Sequence, residues 1–195
     1  SYIETLPDTA DFDSIGLGPG MGKDERTVSA LEEAFSMEIP LVLDADALNL
    51  IAAHDLMDNV PAQSLLTPHP GEFKRLAGDW DSDQELLSKA AQFASDHGII
   101  LVLKGAHTMV VDPNGKVFFN ATGNSGMATA GSGDALTGIL TGLLAQGMHP
   151  LDAALAGVCI HGLAGDIAAE VNGERSMTSM DIIHQIGNAF KELEK

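Results

Sequence analysis

The chain predicts an α/β fold around a largely parallel sheet, and three observations carry that reading. Short apolar runs alternate with helical stretches along its first half, as in βαβ units. Pro113-Asn114-Gly115 separates two apolar runs, which is a hairpin signal and places an antiparallel portion at one edge. Each polar or glycine-rich motif follows directly on an apolar run, and ligands of such sheets sit beyond the carboxyl ends of strands.

In order, residues 14–18 read as a strand closed by glycine and 24–35 as an amphipathic helix. Residues 40–44 form a short buried strand and 47–53 a short helix. Residues 64–67 are a third strand, stopped by Pro68 and Pro70. Helix 83–97 leads into 99–104, a strand apolar on both faces. Residues 108–112 and 116–119 make the hairpin. Beyond residue 131 the chain is helical, over about 133–147, 150–171 and 178–194. No repeat or internal linker interrupts it, so residues 1–195 are expected to be a single domain.

The formal net charge is −18, which argues against nucleic acid and anionic membranes as partners. A nucleotide is still admitted, since backbone amides and one or two cations hold phosphates locally. Cys159 is the only cysteine and is expected to be a buried thiol. No apolar run is expected to reach membrane-spanning length, and the cytoplasm is the expected compartment. The chain opens on Ser1 without an initiator methionine, as a fragment or a processed form would.

The segment from Thr122 to Asp134 carries the strongest functional signal. It holds four glycines and no Lys or Arg, ends in one carboxylate, and runs into an apolar helix. Such a loop exposes backbone N–H groups at the positive end of a helix, which makes an anion site. Gly131, Ser132 and Gly133 would form it. A carboxylate there repels phosphate, so Asp134 reads as the base for a group attacking phosphate; the alternative is a helix-start residue answering the dipole.

The other motifs are weaker alone. Gly16-Leu17-Gly18-Pro19-Gly20-Met21-Gly22 fails as a dinucleotide fingerprint and as a P-loop, leaving a loop that approaches a ligand or merely turns. Asp44 and Asp46 could bind a cation through water, although Asp46 is expected to cap the next helix. His69 stands between two prolines, which present it stiffly for substrate contact, with Glu72 a helix-start residue or its partner. Lys104 ends a buried strand, where an unpaired ammonium is costly; it snorkels out or meets an anion, and nucleotide contact by Lys104, Gly105 and Thr108 is preferred. The histidines outside these motifs lack metal-ligand spacing, and no protein metal site is expected.

Gly18-Pro19-Gly20, the run from Leu43 to Asn49, the run from Leu66 to Glu72, Lys104-Gly105, and the run from Gly131 to Leu136 occur in this order. So ordered, they resemble the ADP-dependent NAD(P)H-hydrate dehydratases, the carbohydrate-kinase-related branch of the ribokinase-like superfamily. The resemblance implies a three-layer α/β/α fold and repair of the S epimers of NADHX and NADPHX. ADP or ATP, with Mg²⁺, would phosphorylate the ring hydroxyl, and loss of phosphate would restore NADH or NADPH. It implies Asp134 as the base and Gly131, Ser132 and Gly133 as the anion hole. Lys104, Gly105, Ala106, His107, Thr108 and Gly133 would contact the nucleotide, and Gly20, Gly22, His69 and Asp134 the hydrate. A homo-oligomer and a separate epimerase are the expected partners.

The chain departs from that family in lacking an N-terminal stretch with a strand, a Gly-rich turn and a helix. Part of the substrate wall would then come from another chain or be lost. The alternatives are a hydroxymethylpyrimidine or hydroxyethylthiazole kinase, which leaves phosphate on its product, and an inactive nucleotide-binding fragment.

Overall fold

The computed structural model describes residues 2–6, 12–37 and 39–194. Six strands form one sheet in chain order: β1 (Ile15–Leu17), β2 (Leu41–Leu43), β3 (Leu65–Leu66), β4 (Ile100–Leu103), β5 (Met109–Val111) and β6 (Val117–Phe119). The first four run parallel, and β5 is antiparallel to both neighbours. The expected parallel sheet with an antiparallel edge hairpin is therefore present.

Helices α1 (Arg26–Phe35), α2 (Ala45–Ala53), α3 (Pro70–Ala77) and α4 (Asp83–His97) cover one face. Helices α5 (Ser132–Ala145), α6 (Pro150–Asn172) and α7 (Ser179–Leu193) cover the other. The strands show why both layers are needed. Leu41, Leu43, Leu66, Leu101 and Leu103 enter the first apolar cluster. Val42, Leu65, Ile100 and Val102 alternate with them into the second. A strand apolar on both faces is stable only between two helical layers. The three parallel crossovers all pass over the α1–α4 face, which lays the strands down in chain order.

Three local expectations are corrected. Helix α2 begins at Ala45, not residue 47, because Asp44 rather than Asp46 caps it; the Asp44 side chain accepts from the Ala45 N–H at 2.9 Å. Pro70, read as a strand stop, is also the first residue of α3, where its missing N–H costs nothing. Cys159 is only partly buried.

A fourth correction concerns α6. At 23 residues with a mean hydropathy of 1.4, it is long and apolar enough to cross a membrane, contrary to expectation. Half of its apolar window is buried inside the protein, where Ala153, Ala154, Val158, Ile160, Ala164 and Ala168 join the second cluster. Gly157 lets it approach α5 closely, since a Cβ there would meet Leu140 Cδ2 at 2.5 Å.

Candidate active site

The carboxyl ends of the four parallel strands are laced by backbone hydrogen bonds. Asp44 N–H donates to Leu17 O at 3.0 Å, Thr67 N–H to Leu43 O at 2.9 Å, and Lys104 N–H to Pro68 O at 2.8 Å. Motifs remote in sequence thus stand side by side. Gly18 is essential to the lacing: at φ +130°, its Cβ would lie 1.8 Å from Asp44 O.

Helix α5 brings the glycine-rich turn to this row. Gly131 takes a left-handed conformation at φ +83°, and Ser132, buried, opens the helix. A Cβ on Gly133 would lie 3.4 Å from Lys104 Nζ and 3.5 Å from Asp44 Oδ2, so this residue faces inward onto those two side chains. Its φ is outside the left-handed region. Alanine there would suffer no backbone strain, only the bulk of a methyl.

Lys104 does meet an anion, and that anion is Asp44. Its Nζ lies 2.5 Å from Asp44 Oδ1. Asp44 Oδ2 accepts from Thr137 Oγ1 at 2.9 Å, one turn into α5. The Asp44 side chain is 2% exposed and that of Lys104 22%. A carboxylate so buried persists only when its oxygens are matched by donors and a cation, as here.

Behind the helix start lies His161 of α6, its Nε2 3.3 Å from Ser132 Oγ. Burial holds its imidazole down to about 4; a hydrogen bond to the Ser132 backbone pushes the other way, and the Lys104 charge adds to the depression. The ring is therefore neutral near pH 7.

Asp134 occupies the other side of the same turn. It is exposed, makes no hydrogen bond or ion pair among the described residues, and lines an open groove of about 610 Å³ between α5 and α7. Ser179, Ile183, Ile186 and Phe190 form the opposite wall.

His69 caps α3. Its Nδ1 accepts from the N–H groups of Gly71 at 3.0 Å and Glu72 at 3.3 Å. Glu72 returns the contact, Oε2 accepting from His69 N–H at 2.8 Å, while Oε1 lies 3.4 Å from Nε2. Glu72 is thus both a helix-start residue and the histidine's partner. The His69 side chain stays 53% exposed. Among the described residues, no hydrogen bond or ion pair joins it to Asp134 or to the Lys104 side chain.

The remaining predicted residues are loop positions. Gly20 has φ +66° with open space around it, and Gly22 donates its N–H to Asp46 Oδ2 at 3.1 Å. Asp46 therefore ties down the first glycine loop, supported by Lys23 at 3.7 Å. Gly105, Ala106 and His107 are exposed at the β4–β5 turn, and Thr108 Oγ1 lies 3.4 Å from Gly105 O.

Thr137, His161 and Asp166 escape the sequence reading. Asp166 of α6 clamps the loop ahead of α5, accepting from Gly123 N–H at 2.8 Å and Asn124 Nδ2 at 2.9 Å. Gly162 gives that loop room, since a Cβ there would meet Thr122 Oγ1 at 2.2 Å. All three lie on apolar helices, where a lone polar residue carries no spacing signal.

A family model described as NAD(P)H-hydrate dehydratase matches residues 3–188. Over 192 residues the chain is 42% identical to a bifunctional NAD(P)H-hydrate repair enzyme of Moorella thermoacetica, covering 95% of this chain and 36% of that protein. An ADP/ATP-dependent NAD(P)H-hydrate dehydratase of Bacillus subtilis, co-crystallised with ATP/Mg²⁺, superposes with a TM-score of 0.83. It is 27% identical and covers 96% of this chain and 66% of that one. A ribokinase-like superfamily protein of Enterococcus faecalis gives a TM-score of 0.80 at 30% identity, over 92% of this chain and 63% of that one. The chain thus spans about a third of the curated relative and about two thirds of these structures. Its sheet, layers and matched sequence make it ribokinase-like, and the chain belongs to the NAD(P)H-hydrate dehydratase family.

Proposed function

We propose that the chain dehydrates (S)-NADHX and (S)-NADPHX to NADH and NADPH at the expense of ADP or ATP. The carrying observation is the start of α5, where an amide-rich turn lies against a lysine on one side and presents an unpartnered carboxylate on the other. Phosphoryl transfer needs these parts: donors for developing phosphate charge, a cation, and a base for the attacking hydroxyl.

In this reading Gly131, Ser132 and Gly133 receive the transferred phosphoryl group. Lys104, Gly105, Ala106, His107 and Thr108 flank the nucleotide. Asp134 takes the proton of the hydrate's ring hydroxyl as its oxygen attacks phosphorus. The nucleotide leaves one phosphate shorter, and elimination of inorganic phosphate restores the ring double bond. Gly20, Gly22 and His69 contact the hydrate. Among the described residues no three His, Cys, Asp or Glu side chains form a metal-holding group, and both Asp44 oxygens are already engaged. These residues do not make a Mg²⁺ site of their own, which suits a metal carried on nucleotide phosphates.

Residues 1–195 act as one domain in this proposal, in the cytoplasm, as a homo-oligomer supplied by a separate epimerase. The Moorella thermoacetica relative is described as bifunctional, which fits a second repair activity acting alongside this one. The test is incubation of the purified protein with hydrated NADH and ADP or ATP, following dihydronicotinamide absorbance. Recovery of absorbance supports dehydration. A stable phosphorylated product without recovery points to a kinase, and no turnover with either nucleotide points to a binding fragment.

A further inference from the structure

We propose that Asp44 is a positioning residue, whose carboxylate holds the Lys104 ammonium against the first turn of α5 so that an arriving phosphate meets a cation already in place. The inference rests on the nucleotide reading above and assigns a role to a residue outside the predicted site.

A cap is too small a role for what Asp44 does. Capping α2 requires one oxygen, and Oδ1 meets that need through the Ala45 N–H. The same oxygen holds Lys104, and Oδ2 is held by Thr137 of α5. The carboxylate therefore ties the ends of β2 and β4 to α5. Helix caps are ordinarily at the surface, whereas Asp44 is 1% exposed. The following residue, Ala45, has φ +45°, a left-handed conformation that costs a non-glycine residue energy and persists where surroundings impose it. Lys104 keeps 22% of its side chain exposed and lies where a Gly133 Cβ would be 3.4 Å away. Its charge is neutralised by Asp44, while the ammonium stays beside the helix start and the side chain keeps part of its exposure. An unanchored lysine would lose rotamer freedom on meeting the charge that develops on the transferred phosphoryl group, a cost felt in kcat; an anchored one has lost it already.

The experiment is a double-mutant cycle of Asp44→Asn and Lys104→Met, reading kcat and ADP KM in the hydrate assay, with ADP affinity by calorimetry. Asparagine caps helices as well as aspartate; with its oxygen kept on the Ala45 N–H, its amide NH2 faces Thr137 Oγ1 and donates where the carboxylate accepted, so Asp44→Asn removes the charge and reverses that one hydrogen bond. It is expected to lower kcat by about 10–100-fold while ADP KM moves by no more than about threefold. In the Lys104→Met background the same change should alter kcat by less than about threefold, because nothing remains to be positioned. A full Asp44→Asn effect in both backgrounds, or no kcat effect in either, overturns the proposal. Should Lys104→Met fail to fold, Thr137→Val slackens the carboxylate and keeps both charges. A kcat lowered by about three- to tenfold supports the proposal, and an unchanged kcat overturns it. If the wild-type protein neither binds ADP nor regenerates dihydronicotinamide, the functional reading fails and takes this inference with it. If it does both and the cycle is additive, only this inference fails.

Discussion

Lys104 and His69 end neighbouring parallel strands, and one backbone hydrogen bond, Lys104 N–H to Pro68 O, joins their segments. Their side chains are held in opposite ways. Lys104 is anchored by a carboxylate 60 positions away, inside the protein. His69 is anchored by its own helix, through Gly71 and Glu72, and remains half exposed. A long-range buried contact couples function to stability: losing the lysine strands a charge in the core. A local capping contact does not, and its loss is confined to one helix end. The first turn of α5 repeats the contrast, with Gly133 facing the buried pair and Asp134 facing the open groove.

The comparison breaks first at Asp134. Because this carboxylate is exposed and unpartnered, Asp134→Asn should leave thermal stability and ADP affinity unchanged while lowering turnover by about 10²–10⁴-fold. Turnover within about threefold of wild type would reduce Asp134 to a helix-start residue.

Lys104→Met should behave in the coupled manner. It leaves Asp44 buried without a counter-charge, for which the expected loss of stability is about 3–5 kcal/mol, with weaker ADP binding in the folded fraction. Denaturant unfolding measures the first and calorimetry the second. A stability loss below about 1 kcal/mol would mean that the pair is solvated and the contrast with His69 is illusory.

Acid tests the inner side of the turn. The depressed folded-state value of His161, about 4 against an ordinary 6.5, means that the unfolded chain takes up its proton first as pH falls. Its stabilising contribution is complete above about pH 6.5 and drains away as pH falls toward 4. Partial burial limits the size to about 1–2 kcal/mol between pH 7.5 and pH 5. Unfolding free energies at the two values, compared with His161→Gln, measure it. An identical slope in the variant would place the titrating group elsewhere.

The smallest effect belongs to His69, and two substitutions divide it. His69→Asn retains a helix cap and removes the imidazole, whereas His69→Ala removes both. Alanine should cost about 1 kcal/mol of stability and asparagine little. Both should reduce kcat/KM for the hydrate by about three- to tenfold, the worth of one hydrogen bond, and leave ADP affinity unaltered. If asparagine restores both stability and kcat/KM, His69 is a cap and no more.

Much of the architecture was legible before any coordinates. Apolar runs such as Ile100 to Leu103 announced strands buried on both faces, and Pro113-Asn114-Gly115 announced the edge hairpin, because both signals are local. The amide-rich start of α5 was legible for the same reason: glycines and a following apolar helix sit in one stretch of chain. Sequence by itself thus determined a largely parallel sheet with an edge hairpin and a polar loop after each strand; the two helical layers came with the family resemblance, and the order of strands across the sheet with the structure. It read Pro70 as a stop, because proline ends strands and begins helices alike, and only the capping pair of His69 and Glu72 decides for the helix. What the tertiary structure alone decided was partnership. That Lys104 meets Asp44, that Thr137 completes the pair, that His161 backs Ser132 and that Asp166 clamps the preceding loop depend on contacts spanning 29 to 93 positions. A lone polar residue in an apolar helix carries no periodicity. Its partner is chosen by the desolvation cost of leaving it unmatched, and that cost exists only once the chain has closed around it.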